Sequence, residues 1–332
     1  MDVITHALSG AVIGAACAPT EREQLPLMLV GAVAGLAPDL DALSALRGPT
    51  AAWRQHRVWL HGLPTLPAQG LVIYLTTQGL TGIPLDPQML WLTIIGGLLV
   101  HLLLDTVTSF GTVLGFPFSS RRWSSRSHFI TDPFILMILL ASLALNIPAI
   151  GIVLCAAWLM VGFAVRLYVV STLNRSWSDP KLAVRAIHVE PGPYAPFRWL
   201  VIVHLASGDY LLAQVSGRGK ILSPWHRESS CCAPGLIRRA YEIPLVQAFL
   251  ATADCPCWKV LTSNAGSAEV LLEDLKWRVA APFRPLAFQI HLEDDPAADR
   301  AVQLPLAWLG PVRNPAVCVN DAIVPRDGPS AQ

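Results

Sequence analysis

The stretch HLLLDTVTSFGT, residues 101–112, closes an apolar run and sets a histidine and an aspartate four residues apart. On a helix, positions i and i+4 share a face, so His101 and Asp105 project side by side. The same residue types recur upstream and downstream: His6 in MDVITHALSGA, Asp39 and Asp41 in APDLDA, His56, Arg57 and His61 in HRVWLHGL, and His128 with Asp132 in SHFITDPF. Imidazole and carboxylate donors without a neighbouring thiolate are the ligand set of a hydrolytic divalent-metal centre, with zinc, manganese and iron all compatible. So many donors point to two or more ions. Such a cluster can bring the pKa of a bound water to about 7 and hold both the attacking and the leaving oxygen of a phosphoester.

Each piece also has a plainer structural role. Asp39 and Asp41 after Pro38 can form an Asx-turn that ends a helix. His6 can sit beside a capping Thr5, and His101 with Asp105 can be a buried ion pair. His56-Arg57 in a basic loop can touch lipid headgroups. Taken separately, these roles do not predict that all the residues fall on one side of the molecule, which is where the elements that carry them place them.

Those elements are apolar. Hydrophobic residues make up 53% of the 332 and charged ones 14%, and mean hydropathy is +0.48, outside the range of an ordinary soluble domain. Residues 1–175 hold only nine Lys/Arg and eight Asp/Glu, so most of the charge belongs to the remainder. Apolar segments run from Val3 to Ala18, Leu25 to Ala37, Leu63 to Leu80, Gln88 to Thr108, Pro133 to Asn146 and Ala149 to Val170. A perpendicular span takes about 20 residues, so the second and fifth are short and the expected count is four to six. Lys and Arg concentrate in alternate connections, at Arg47, Arg54 and Arg57, at Arg121, Arg122 and Arg126, and at Arg175, Lys181 and Arg185. The positive-inside rule then puts both the N-terminus and the tail in the cytoplasm, and the polar cluster on that side. Ionisable residues at membrane depth are costly enough that they usually mark function.

Several classes are set aside. A net charge of +1 without a basic patch excludes nucleic acid as the expected partner. The N-terminus carries Asp2 and no basic n-region, so it reads as a retained first segment rather than a cleaved leader. The seven cysteines do not form a disulfide framework. Cys231-Cys232 and Cys255-Pro-Cys257 lack zinc-knuckle spacing and read as reduced, partly buried thiols.

From about Trp177, alternating apolar residues and prolines take over. FRWLVIVHLASGDYLLAQVS reads as a hairpin turning at Ser207-Gly208-Asp209, and CWKVLTSNAGSAEVLLEDLKW as a second turning at Asn264-Ala265-Gly266. PLAFQIHLEDD is a further strand. His188, His204, His226 and His291 are scattered and read as structural or surface residues. The expected architecture is a membrane α-helical bundle of four to six segments over 1–175, a small β-rich soluble domain over 176–312, and a loose tail over 313–332.

Taken in order, MDVITHALSGA, APDLDA, HRVWLHGL, HLLLDTVTSFGTVLGFPFS and TDPFIL resemble the YdjM family of bacterial inner-membrane proteins, described as membrane-bound metal-dependent hydrolases. The likeness covers roughly Met1 to Val170, and PGPYAPFRWLVIV is similar to the tail of longer members. The resemblance implies His6, Asp39, Asp41, His56, His61, His101 and Asp105 as metal ligands, with Thr108, Gly111 and the Pro117-Phe118 turn in the stretch that follows. The family usually reads HRGxTHS where this chain has HRVWLHG, so the Thr and Ser flanking the second histidine are Leu60 and Gly62. If those hydroxyls orient the site, turnover suffers more than metal binding. The HxxxD arrangement is also similar to one in zinc-dependent phospholipase C and the P1-type nucleases.

The expected function is a multi-pass bacterial inner-membrane hydrolase that uses a metal-activated water on a phosphoester or other ester of a membrane-associated, lipid-like substrate. Arg57 is expected to steady an anionic substrate or transition state, and Asp132 to act as a proton acceptor or to orient a ligand. The rival is a non-enzymatic membrane metal-binding or scaffold protein. A transporter would show an internal repeat with ionisable residues at the midplane, and none is visible. Nothing in the sequence fixes an oligomeric state.

Overall fold

The computed structural model describes residues 1–81, 85–177, 183–230, 233–264, 267–280 and 287–304. Helix α1 (Val3–Cys17) starts at Asp2, whose carboxylate accepts from Ile4 N at 3.1 Å and Thr5 N at 3.0 Å. The cap is therefore Asp2 and not Thr5, whose hydroxyl itself bonds Asp2. Helix α2 (Glu21–Leu36) runs directly into a 3₁₀ segment (Ala37–Arg47), and this continuity turns an apparently short apolar stretch into one of 27 residues.

Next come the short α3 (Pro49–Gln55), α4 (Leu66–Thr81), α5 (Pro87–Thr106), α6 (Pro133–Ala144) and α7 (Pro148–Ser176). Asp86 caps α5 and Asp132 caps α6. Among the described residues three helical stretches are long and apolar enough to cross a membrane: Glu21–Arg47, Pro87–Thr106 and Pro148–Ser176. Helices α1 and α6 are apolar but shorter. At 12 residues α6 reaches only about 18 Å, less than a hydrocarbon core of about 30 Å.

In a lipid environment helices associate through close packing rather than through expulsion of water. Helices α1 and α2 do so through glycine: a Cβ on Gly10 would lie 2.0 Å from the Gly31 carbonyl oxygen. Leu27, Val30, Ala34, Leu90, Ile94 and Leu98 then interlock α2 with α5, and Val12, Leu104, Val107, Ile135 and Leu139 join α1, α5 and α6.

The chain divides into two compact units, Met1–Ala164 with Pro193–Pro196, and Val165–Gly192 with the described residues from Phe197 onward. In the second unit β1 (Val184–Pro191), β2 (Arg198–Leu205), β3 (Tyr210–Ser216) and β4 (His226–Glu228) pair antiparallel in sequence order. Two short helices follow, α8 (Pro234–Tyr241) and α9 (Pro244–Leu250). A second antiparallel meander then contains β5 (Pro256–Asn264), β6 (Ser267–Asp274), β7 (Ala287–Leu292) and β8 (Arg300–Gln303). The β2–β3 turn has Gly208 at φ +93°, a conformation that a residue with a Cβ rarely adopts. Cys255 and Cys257 are buried free thiols in the core beside Leu200, Ile202 and Leu275. Cys231, Cys232, the centre of the second hairpin turn (Ala265-Gly266) and the 313–332 tail lie outside the described residues.

Candidate metal centre

The first unit gathers its polar side chains at one end of the bundle. His6 lies in the first turn of α1, Asp39 and Asp41 on the 3₁₀ segment after α2, His101 and Asp105 in the last turns of α5, and His56 to His61 in the loop between α3 and α4. Asp39, His61, His101 and Asp105 each turn one donor atom to a common point, all within 4.8 Å of one another. His101 Nε2 is 3.0 Å from His61 Nε2. His61 Nε2 is 3.1 Å and His101 Nε2 3.6 Å from Asp105 Oδ2, and Asp39 Oδ1 is 3.7 Å from both rings. A tetrahedral ion with ligand bonds near 2.0 Å has donor-to-donor edges of about 3.3 Å, and five separations among these atoms, 3.0–3.7 Å, are near that value.

The hydrogen bonds behind the rings determine which nitrogens face inward. His101 Nδ1 is 2.6 Å from the Gly35 carbonyl oxygen, and His61 Nδ1 is 3.0 Å from Asp41 Oδ2. Both partners only accept, so each Nδ1 carries a proton, and the two Nε2 atoms face each other and the carboxylates of Asp39 and Asp105. The two Nε2 atoms stand 3.0 Å apart, and beside them Asp105 Oδ2 is buried without a hydrogen-bond partner. A buried, unsatisfied carboxylate oxygen beside two inward-facing imidazole nitrogens attracts a cation. Burial alone would lower the pKa of His61, but the adjacent Asp105 and Asp41 carboxylates outweigh it and hold it above the ordinary value. A proton is thus one cation that this corner attracts.

The other expected residues stand around this core. Asp41 and His56 are one and two steps out: Asp41 Oδ1 is 2.9 Å from His56 Nδ1, and Asp41 Oδ2 accepts from Arg57 N at 2.8 Å. His6 stacks on His101 with ring centroids 3.8 Å apart and puts Nε2 3.1 Å from Asp105 Oδ1, the oxygen turned away from the four-donor point. The Met1 amino group lies against that same oxygen and 2.9 Å from His6 Nε2. The Arg57 guanidinium is buried beneath Phe110, 3.0 Å from Asp105 Oδ1 and 3.1 Å from Thr108 Oγ1. A second ion would need that outer oxygen, which in this structure already faces the Arg57 guanidinium and the Met1 amino group.

Asp132 is buried at the start of α6, where it accepts from Phe134 N at 2.9 Å, Ile135 N at 3.2 Å and Trp158 Nε1 at 3.2 Å. It is not one of the four converging donors. His128 is buried against α7, where a Cβ on Gly162 would come 2.3 Å from its ring, and burial pushes its pKa down.

Local sequence explains these placements. A Cβ on Gly35 would lie 2.4 Å from the His6 carbonyl oxygen, so this glycine lets α1 and α2 meet at the level of the site and present the carbonyl that holds His101. Arg57 has φ +60°, a turn that aims its backbone N–H at Asp41 while its side chain goes inward. The stretch after α5 folds back on this loop through Val113 N to Arg57 O at 3.2 Å and Leu63 N to Leu114 O at 2.9 Å. Gly35 and Thr108 as supports are not evident from ligand chemistry, and the small-residue spacing Gly10, Gly14, Gly31, Gly35 is the signal that points to the first.

The second unit holds another group within ligand range, Glu228, Cys257 and Glu273. Here Lys259 Nζ is 2.5 Å from Glu228 and 3.6 Å from Glu273, and Arg278 bonds both carboxylates. Burial alone would raise Glu228, but Arg278 and Lys259 hold it down at about 2, while burial pushes the Cys257 thiol up to about 12.

One similar protein is the uncharacterized YfhP of Bacillus subtilis (strain 168), 25% identical over 316 residues, spanning 89% of this chain and 92% of YfhP. No solved structure matches the chain, so the likeness to zinc-dependent phospholipase C and the P1-type nucleases is without support. The family model described as YdjM inner membrane protein matches residues 1–177, the stretch that carries every residue of the four-donor cluster, and the chain belongs to that family.

Proposed function

We propose that this protein is an integral inner-membrane, metal-dependent hydrolase that cleaves a phosphoester or other ester of a membrane-associated substrate, with its site and its C-terminal unit on the cytoplasmic side. The reading is carried by the Nε2 atoms of His61 and His101 facing each other beside the unsatisfied Asp105 Oδ2, an arrangement that a bound cation completes. A divalent ion there would acidify a water and polarise a phosphoryl oxygen. Zinc fits the near-tetrahedral spacing, and manganese or iron would leave further coordination positions free. Asp39 is the most solvent-reached of the four donors, at 18% side-chain exposure, so water and substrate enter on its side.

The chain's own residues then have distinct tasks. His61 and His101 hold the centre through Nε2 while Asp41 and Gly35 keep their protons on Nδ1. Arg57 neutralises the outer oxygen of Asp105, which leaves Oδ2 free to bind, and its fixed positive charge favours an anionic substrate nearby. Asp132 supports the centre from outside by fixing the start of α6 against Trp158.

Elemental mass spectrometry of the detergent-purified chain, compared with the His101→Ala, Asp105→Ala double variant, tests the first step. The expected result is at least one zinc, manganese or iron per chain in the wild type and none in the variant. Equal metal in both, or none in either even after metal is added, overturns the centre and favours a scaffold. Release of a water-soluble headgroup or phosphorylated headgroup from phospholipid-containing micelles, or of phosphate where the lipid is a phosphomonoester, by the metal-loaded wild type and not by the variant is the expected activity.

A further inference from the structure

We propose that Asp41 and His56 do not ligate the metal but form a two-layer buttress that fixes the ring of His61, with His56 as its outermost positioning residue. The proposal rests on the metal-centre reading above and assigns different roles within it.

Three donors converge on the Asp41 carboxylate and use both of its oxygens: His61 Nδ1 at 3.0 Å and Arg57 N at 2.8 Å on Oδ2, and His56 Nδ1 at 2.9 Å on Oδ1. Asp41 therefore faces the rear nitrogen of His61, while the opposite nitrogen, Nε2, faces Asp39, His101 and Asp105. Local geometry separates the two aspartates. On a 3₁₀ helix residues two apart point about 120° apart, so Asp39 and Asp41 cannot present carboxylates in one direction. Asp39 turns to the centre and Asp41 to the loop.

His56 completes the arrangement. Its side chain is 35% exposed while that of Asp41 is 3% exposed, so it forms the layer between the buried carboxylate and solvent. Its ring stands edge-on to His61 at 6.2 Å between centroids, and none of its atoms belongs to the four converging donors. Without His56, Oδ1 of Asp41 loses its side-chain donor, and the carboxylate can rotate about the remaining contacts. The ring of His61 then loses a fixed tautomer and direction. Supports of this kind characteristically change metal affinity by about 10- to 100-fold without changing the ligand count.

Cobalt(II) loading of the full-length chain in detergent tests this, because the visible bands of cobalt report coordination number and ligand type, while a competing chelator reports affinity. His56→Ala is expected to keep one cobalt per centre and the wild-type band positions and intensities, with affinity lowered about 10- to 100-fold. His56→Asn, whose amide N–H can replace Nδ1–H, should recover most of that loss, and Asp41→Asn should behave like His56→Ala. His61→Ala should alter the bands outright. Thermal melting of the metal-free variants close to wild type is expected, and a His56→Ala that does not fold leaves His56→Asn and Asp41→Asn to carry the comparison. Bands in His56→Ala or Asp41→Asn that change as they do in His61→Ala would make these residues ligands and overturn the proposal. Unchanged affinity in all three would remove their role. A wild type that binds no cobalt overturns the metal centre itself and the buttress with it, an outcome distinct from the other two.

Discussion

Among the described residues two clusters contain side chains of metal-binding type, and they differ in how their charge is balanced. Around Glu228 and Glu273 two carboxylates meet two permanent cations, Lys259 and Arg278, and the nearby Cys257 thiol stays protonated. Around Asp39 and Asp105 the converging partners are imidazoles whose Nδ1 atoms are taken up by Asp41 and the Gly35 carbonyl, and Arg57 reaches the outer oxygen of Asp105. The first cluster is electrically complete without an ion and the second is not. A list of ligand-type residues within range thus does not by itself separate the two clusters, whereas the partners around each carboxylate do.

The largest effect expected from this comparison is all-or-none. Glu228→Gln with Glu273→Gln should leave metal content per folded chain at the wild-type value, while His101→Ala with Asp105→Ala abolishes it. Metal lost on changing the glutamates would reverse the assignment. Next in size, Lys259→Met should destabilise the second unit by about 3–5 kcal/mol, because it leaves two buried carboxylates with a single cation. Hydrogen exchange on the full chain would read this as faster exchange in β5 and β6, with α1 and α5 unchanged.

Acid provides the third test. Glu228 is held at about 2 against an ordinary 4.5, so its contribution is fully present above pH 4.5 and is lost as pH falls from there toward 2. That contribution is on the order of 3 kcal/mol, and Glu228→Gln should flatten the acid dependence of protection in the second unit over this window. The smallest expected effect is Gly35→Ala, whose methyl must displace the His6 carbonyl. A cost of about 1–3 kcal/mol and weaker metal binding are expected, since the same glycine supplies the carbonyl that orients His101. Unchanged affinity would mean that the α1–α2 spacing does not tune the centre.

Much of the candidate site was legible because its imidazole and carboxylate residues come in short motifs with local meaning. The i, i+4 spacing of His101 and Asp105 predicted neighbours on one helix face, and both turn toward one point. The apolar segments of the first half and the hairpin at Ser207-Gly208-Asp209 followed from composition and turn chemistry, and both elements form. Helix continuity was harder to read. Pro38 and the Asp-rich stretch suggested an end to the second segment at Ala37, yet the chain continues as a 3₁₀ helix, because proline is tolerated in a first helical turn.

Residue types and spacing by themselves determined the class of protein, the apolar and polar halves, and a pool of imidazoles and carboxylates at one end of the bundle. They could not rank that pool, because a carboxylate that binds a cation and one that holds a histidine have the same chemistry and differ only in direction. Only the tertiary structure made that division. It turned Asp39 inward and Asp41 outward, set Gly35 behind His101, placed Arg57 on the far oxygen of Asp105, and gave Asp132 to the start of α6. The physical reason is that protonation and charge at a buried atom depend on partners distant in sequence, brought together here by glycine-tight helix packing.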